Sequence, residues 1–194
     1  MRSGSDVRVA ITVPTDQRVD ASTAELFIGH LSRAGIAPER VVLLVSEETL
    51  LTSPPGLVDG LRQVHAAGMQ LCIADYGLGH TLMAHRAVLP FDLARLDMGL
   101  LGRDLEATEL AVRAAAAIVV PYGMQLLLDG VSTGLDHALA CELDVAGFSG
   151  HFVHTAVPGA ALPRLFGVQD VVEATPADRR PDDDVLPELA GSAP

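Results

Sequence analysis

The feature that most constrains this chain is a rhythm. Six short, almost wholly apolar runs, near Val7–Val13, Val41–Ser46, Met69–Ala74, Leu93–Leu96, Gln125–Leu128 and Val145–Phe148, are separated by longer segments with helical spacing. Apolar runs without polar alternation suit strands covered on both faces. Helices are expected over Thr23–Arg33, Gly56–Ala67, His80–Val88, Leu105–Val119 and Thr133–Glu142. The second of these follows Ser53-Pro54-Pro55, a helix-start pattern, and sets Leu57, Val58, Leu61 and Val64 on one side. Alternation of this kind folds as βα units around a parallel sheet.

In such sheets, ligands and reactive groups collect at the carboxyl ends of the strands. The polar residues of this chain gather there: Ser46-Glu47-Glu48, Asp75, Asp97 and Asp129. The acids thus point to one mouth. Composition limits what they can do. All 13 basic side chains are arginines, and there is no lysine, asparagine or tryptophan, so Schiff-base and P-loop chemistry are excluded. A net charge of −12 argues against nucleic acid as a partner.

No membrane span is expected, because the apolar run from Ala114 to Val120 stops at Pro121. Cys72 and Cys141 sit in apolar stretches rather than in a framework, which reads as free thiols and a cytoplasmic protein. Residues 7–169 read as one domain. Residues 170–194, acidic and proline-rich without apolar periodicity, read as a disordered tail.

Taken in order, the strand ends resemble the EAL-domain family, barrel-shaped phosphodiesterases that linearise cyclic di-GMP. The segment IADYGLGHTLMAHRAVLPFDLARLDMGLL, Ile73 to Leu101, is similar to the family stretch that opens on D-D-F-G and ends on K-I-D. LLLDGVSTGLDHALACELDVAGFSGHFVH, Leu126 to His154, is similar to the stretch from E-G-V-E to Q-G-Y. PERVVLLVSEETLL resembles the stretch ending in E-I-T-E, and VAITVPTDQ the strand carrying N-L-S. The four stretches are co-linear over roughly residues 7 to 166. The resemblance implies a TIM-type (βα)8 barrel, incomplete here: about six of eight strands are present, and the first two, with the E-A-L strand, have no counterpart.

The resemblance also implies Mg or Mn held by oxygen ligands. At the matching positions this chain has Thr12, Leu44 and Ala74, and the E-A-L glutamate has no counterpart. What survives is Asp75 from D-D-F-G, Glu47 from E-I-T-E, Asp97 from K-I-D, Arg95 in place of the lysine, and Asp129 in place of the first glutamate of E-G-V-E. These five are the candidate ligand-binding residues. Asp75 and Asp97 can equally cap the turns that follow them. An Arg95 pair with Glu47 or Asp75 is expected to replace the charge of a metal.

Neither His80/His85 nor His151/His154 has helical zinc spacing, and Gly77-Leu78-Gly79 lacks the third glycine of a phosphate loop. The expectation is therefore a non-enzymatic EAL-like domain, using no cofactor and having no catalytic residues. It would act in cyclic di-GMP signalling through a protein partner or a homo-oligomer that covers an open barrel edge. Metal-independent sensing of cyclic di-GMP is the alternative, ahead of residual phosphodiesterase activity.

Overall fold

The computed structural model describes residues 7–14, 19–52, 55–74, 89–101, 104–143 and 145–162. Asp75, the expected helix His80–Val88 and the expected tail fall outside them. The chain divides into a unit of Asp6–Ala156 and a smaller one of Met1–Ser5 with Val157–Pro194. In the smaller unit, the described part contains a short 3-10 turn, Gly159–Ala161.

The larger unit is a six-stranded parallel sheet in sequential order: β1 (Val9–Thr12), β2 (Val41–Ser46), β3 (Gln70–Ala74), β4 (Leu93–Asp97), β5 (Gln125–Asp129) and β6 (Gly147–Phe148). Every expected strand is present. Five described helices accompany them: α1 (Ala21–Arg33), α2 (Glu47–Thr52), α3 (Leu57–Ala66), α4 (Leu105–Val119) and α5 (Gly134–Glu142). Sequential parallel order with helices in the described crossovers is the arrangement of a (βα) barrel wall.

Local sequence explains the helix starts. Asp20 accepts the Thr23 N–H at 3.0 Å, Asp104 the Glu106 N–H at 3.0 Å, and Thr133 and Asp136 form a reciprocal capping box at α5. α2 is the helix that strand–helix alternation did not suggest. Its signal was present in Ser46-Glu47-Glu48-Thr49: the Ser46 hydroxyl accepts the Thr49 N–H at 3.1 Å, and two acids fill the first turn.

Alternation sorts the strands between two apolar layers. Leu43, Val45, Leu71, Ile73, Ala94, Leu96, Leu126 and Leu128 join the helices in the main core. Val42, Leu44, Cys72, Ala74 and Leu93 form a second cluster on the opposite face, with Leu127 against it. That second face corresponds to the inside of a barrel.

Candidate functional site

The inner face changes character toward the carboxyl ends of its strands. On β2 and β3 it carries Leu44 and Ala74, 5% and 1% exposed, with Ser46 beside Ala74 at the end of β2. On β4 and β5, the same alternation that turns Leu93 and Leu127 inward also turns Arg95, Asp97 and Asp129 inward. Asp97 and Asp129 are register partners at adjacent strand ends. Two carboxylates so placed repel one another, and each is held by donors.

Arg95 Nη1 lies 3.2 Å from Asp129 Oδ2, with the two side chains 22% and 33% exposed. Asp129 Oδ1 accepts the Ser149 hydroxyl at 2.7 Å and the Gly130 N–H at 2.9 Å. Asp97 Oδ1 accepts the Gly99 N–H at 2.8 Å and so caps the 3-10 turn Met98–Leu100. The capping expected of Asp97 is therefore present in the geometry. Among the described residues, Asp129 of the adjacent strand is a carboxylate beside the Arg95 guanidinium, and the expected partner Asp75 lies outside them.

Two glycines allow this close packing. Gly130 has a φ of +82°, and a Cβ there would stand 3.2 Å from Asp97 Oδ1. A Cβ on Gly150 would collide with the Val131 carbonyl. The chain after β6 thus lies against the loop after β5, with Ser149 N–H on the Leu128 carbonyl at 2.9 Å and Val131 N–H on the Ser149 carbonyl at 3.0 Å. This contact delivers Ser149 to Asp129 across twenty residues of sequence. Ser149 stands within the stretch similar to that from E-G-V-E to Q-G-Y, and its role depends on this contact.

Of the remaining candidates, Glu47 is buried in the first turn of α2, 4% exposed, and Asp75 lies outside the described residues. Two further features escaped the sequence. The His137 ring meets Phe148 edge-on, with centroids 5.2 Å apart, and lies 5.4 Å from Phe152. A cleft of about 690 Å³ opens on the helix side of the carboxyl edge, lined by Met98, Thr108, Gly130, Ser132 and Asp136 among others. Burial raises the Asp136 pKa. N–H and hydroxyl donors of Ser132 and Thr133 outweigh that and hold the carboxyl below its usual value.

A parallel (βα) sheet with charged side chains gathered at its carboxyl edge defines a barrel-type ligand-binding or catalytic domain. The EAL domain family matches residues 1–156, and the chain belongs to that family. The cyclic di-GMP phosphodiesterase NbdA of Pseudomonas aeruginosa is 25% identical over 159 residues, covering 80% of this chain and 20% of NbdA. The chain spans 15 to 40% of the length of the curated relatives that it matches. The fold of the MucR phosphodiesterase of the same organism, solved in complex with c-di-GMP, superposes with a TM-score of 0.71. That match is 21% identical and covers 80% of this chain and 64% of that one. BlrP1 of Klebsiella pneumoniae, solved with calcium and cyclic di-GMP, has a TM-score of 0.63 at 21% identity, over 75% of this chain and 38% of that one. The barrel expected from the resemblance, six strands of an incomplete (βα)8, is the fold observed.

These relatives correct two expectations. The reading of the chain as non-enzymatic does not stand, since NbdA and MucR are named phosphodiesterases and the chain shares their family. The expectation of no cofactor does not stand either, since a solved relative carries calcium with the dinucleotide. The physical reason is common to both. Leu44 and Ala74 show which side chains supply no oxygen to an ion, but they say nothing of oxygens elsewhere, and Asp75 is not among the described residues.

The described residues by themselves do not fit a divalent ion. Among them, no three His, Cys, Asp or Glu side chains converge to hold one, and the two carboxylates at the mouth already carry N–H, hydroxyl and guanidinium donors. Among the described residues, no helix is long and apolar enough to cross a membrane.

Proposed function

We propose that this EAL domain binds cyclic di-GMP at the carboxyl ends of β4 and β5, with Arg95, Asp97 and Asp129 as the groups that meet the ligand and Glu47 and Asp75 as the other ligand-binding candidates. The observation that carries this reading is the partly exposed Arg95–Asp129 pair, 3.2 Å apart on the inner face within the segment matching the family. The ligand's chemistry suits it. Each phosphodiester carries a negative charge that a guanidinium receives well, and each guanine presents N–H donors that a carboxylate accepts. Arg95 also offsets the two acids that would otherwise repel the phosphates.

In this reading, residues 7–169 are the working domain and 170–194 an acidic tail. The protein is cytoplasmic, which the placement of Cys72 and Cys141 in apolar stretches rather than in a disulfide framework supports. Calorimetric titration with cyclic di-GMP, with and without Mg²⁺, tests it, with linear dinucleotide followed by chromatography in the same samples. Saturable binding of one dinucleotide per chain, weakened by Arg95→Ala, is expected. Absence of heat in both conditions would remove the reading.

A further inference from the structure

The cleft on the helix side of the carboxyl edge plays no part in the proposed dinucleotide site. At about 690 Å³ it falls within the roughly 300–1,000 Å³ usual for a small-molecule site. Its lining includes two leucines that solvent reaches: Leu105, which opens α4, is 42% exposed, and Leu135, in the first turn of α5, is 63% exposed. Buried Met98 adds to this apolar surface. Beside these stand Thr108, Ser132 and Asp136. An apolar lining with a few polar groups orients a ligand that is apolar along one part and polar at another.

The polar groups define which charge the cleft accepts. Thr108 is 4% exposed, and among the described residues no hydrogen bond reaches its hydroxyl. A buried hydroxyl in that state costs stability unless something bound at the site satisfies it. Asp136 gives Oδ2 to the Ser132 N–H at 3.0 Å, the Ser132 hydroxyl at 3.1 Å and the Thr133 N–H at 2.8 Å. Its Oδ1 accepts no hydrogen bond among the described residues. Burial raises this carboxyl, but those donors hold it below its usual value, so its charge stands at neutral pH. No arginine or histidine is among the described residues that line the cleft. The amino end of a helix ordinarily favours an anion, yet Asp136 at α5 and Asp104 at α4 already take up the N–H groups there. An anion would meet these carboxylates with repulsion, and a cation would not.

We infer that the cleft is a binding site for an alkylguanidinium cation, with the stem against Leu105 and Leu135 and the head at Asp136, Ser132 and Thr108. Among organic cations a guanidinium suits these groups best. It presents several N–H donors in one plane, and it is weakly enough hydrated to enter a partly apolar site. Asp136 Oδ1 and the hydroxyl oxygens of Ser132 and Thr108 are its acceptors. The methylene stem covers leucine surface that water now reaches. A net charge of −12 on the chain adds long-range attraction. The same group occurs in free alkylguanidines and in the arginine side chain of a protein, and experiment separates the two sources.

Calorimetric titration of the full chain with butylguanidinium and, separately, with N-acetylarginine amide tests the inference. One saturable site with a Kd below about 1 mM is expected for at least one of them. Tighter binding of the first marks a free alkylguanidine as the ligand, and tighter binding of the second an arginine side chain. Butylurea, the uncharged isostere, should bind at least about tenfold more weakly. Asp136→Asn keeps an acceptor for the α5 cap while removing the charge, and should weaken the cation about tenfold. Thr108→Val keeps the volume and removes a hydroxyl that no described protein group satisfies. Affinity should then fall about threefold or more while resistance to urea is unchanged or rises, a divergence that a merely structural role would not produce. If Asp136→Asn fails to fold, Thr108→Val carries the test. Absence of saturable heat with both cations, equal affinity for butylurea, tighter binding of inorganic phosphate, or an affinity untouched in whichever variants fold overturns the inference.

Discussion

Leu44 and Ala74 belong to an apolar cluster on the inner face of β2 and β3, while on β4 and β5 the charged side chains Arg95, Asp97 and Asp129 follow Leu93, which is level with Cys72 and Leu44. One sheet thus carries a sealed end and a charged end. The difference teaches where a polar ligand can be met. Desolvating a phosphate against a leucine and an alanine returns no hydrogen bond, whereas the guanidinium and carboxylates beside them are partly exposed and already oriented. It also shows how the protein tolerates the charge: Asp97 and Asp129 each have a donor within hydrogen-bond distance.

The largest effect is expected from erasing the contrast. Leu44→Glu places a carboxylate in the apolar half, 5% exposed, and should cost about 3–5 kcal/mol in urea unfolding. A loss below about 1 kcal/mol would show that the β2–β3 end is not the sealed half described here. Arg95→Ala leaves Asp129 without its counter-charge. Because the pair is partly exposed, a smaller loss of about 1–2 kcal/mol is expected, together with a drop in cyclic di-GMP affinity of roughly tenfold or more. Ser149→Ala removes the hydroxyl 2.7 Å from Asp129 and should cost about 1 kcal/mol, with the same sign on binding.

The smallest effect concerns Asp136, which caps α5 rather than facing the inner edge. Its carboxyl is lowered from 3.8, so its contribution is fully present above that value and is lost as pH falls through the lower folded value. Stability measured from pH 6 to pH 2 should show this loss in the wild type and lack it in Asp136→Ala, which costs about 1 kcal/mol at neutral pH.

Much of this was legible before any coordinates. The strands declared themselves because a parallel sheet demands apolar runs on both faces, and α4 declared both its ends because Asp104 caps it and Pro121 follows it. Short elements were less visible. α2 is six residues long, too short for periodicity, and only its serine cap announced it.

At the mouth, Arg95, Asp97 and Asp129 could be placed from strand position alone, because alternation assigns each to a face. Which carboxylate would accompany Arg95 could not be, because register between β4 and β5 is a tertiary quantity. The Ser149 contact depended on two glycine-permitted approaches, at Gly130 and Gly150, that no local pattern encodes. The conclusions that failed, no enzyme and no cofactor, rested on losses at individual positions. Such losses bear on how a site binds an ion, whereas family membership bears on the chemistry its relatives perform.

Amide hydrogen exchange with and without cyclic di-GMP compares the two halves directly. If the ligand is met at the charged end, protection rises in peptides spanning 93–101 and 125–136, while peptides spanning 41–46 and 70–74, already inside a sealed layer, stay unchanged. Protection confined to the β2–β3 peptides, or no change anywhere at saturating dinucleotide, would contradict the assignment of the mouth to Arg95, Asp97 and Asp129.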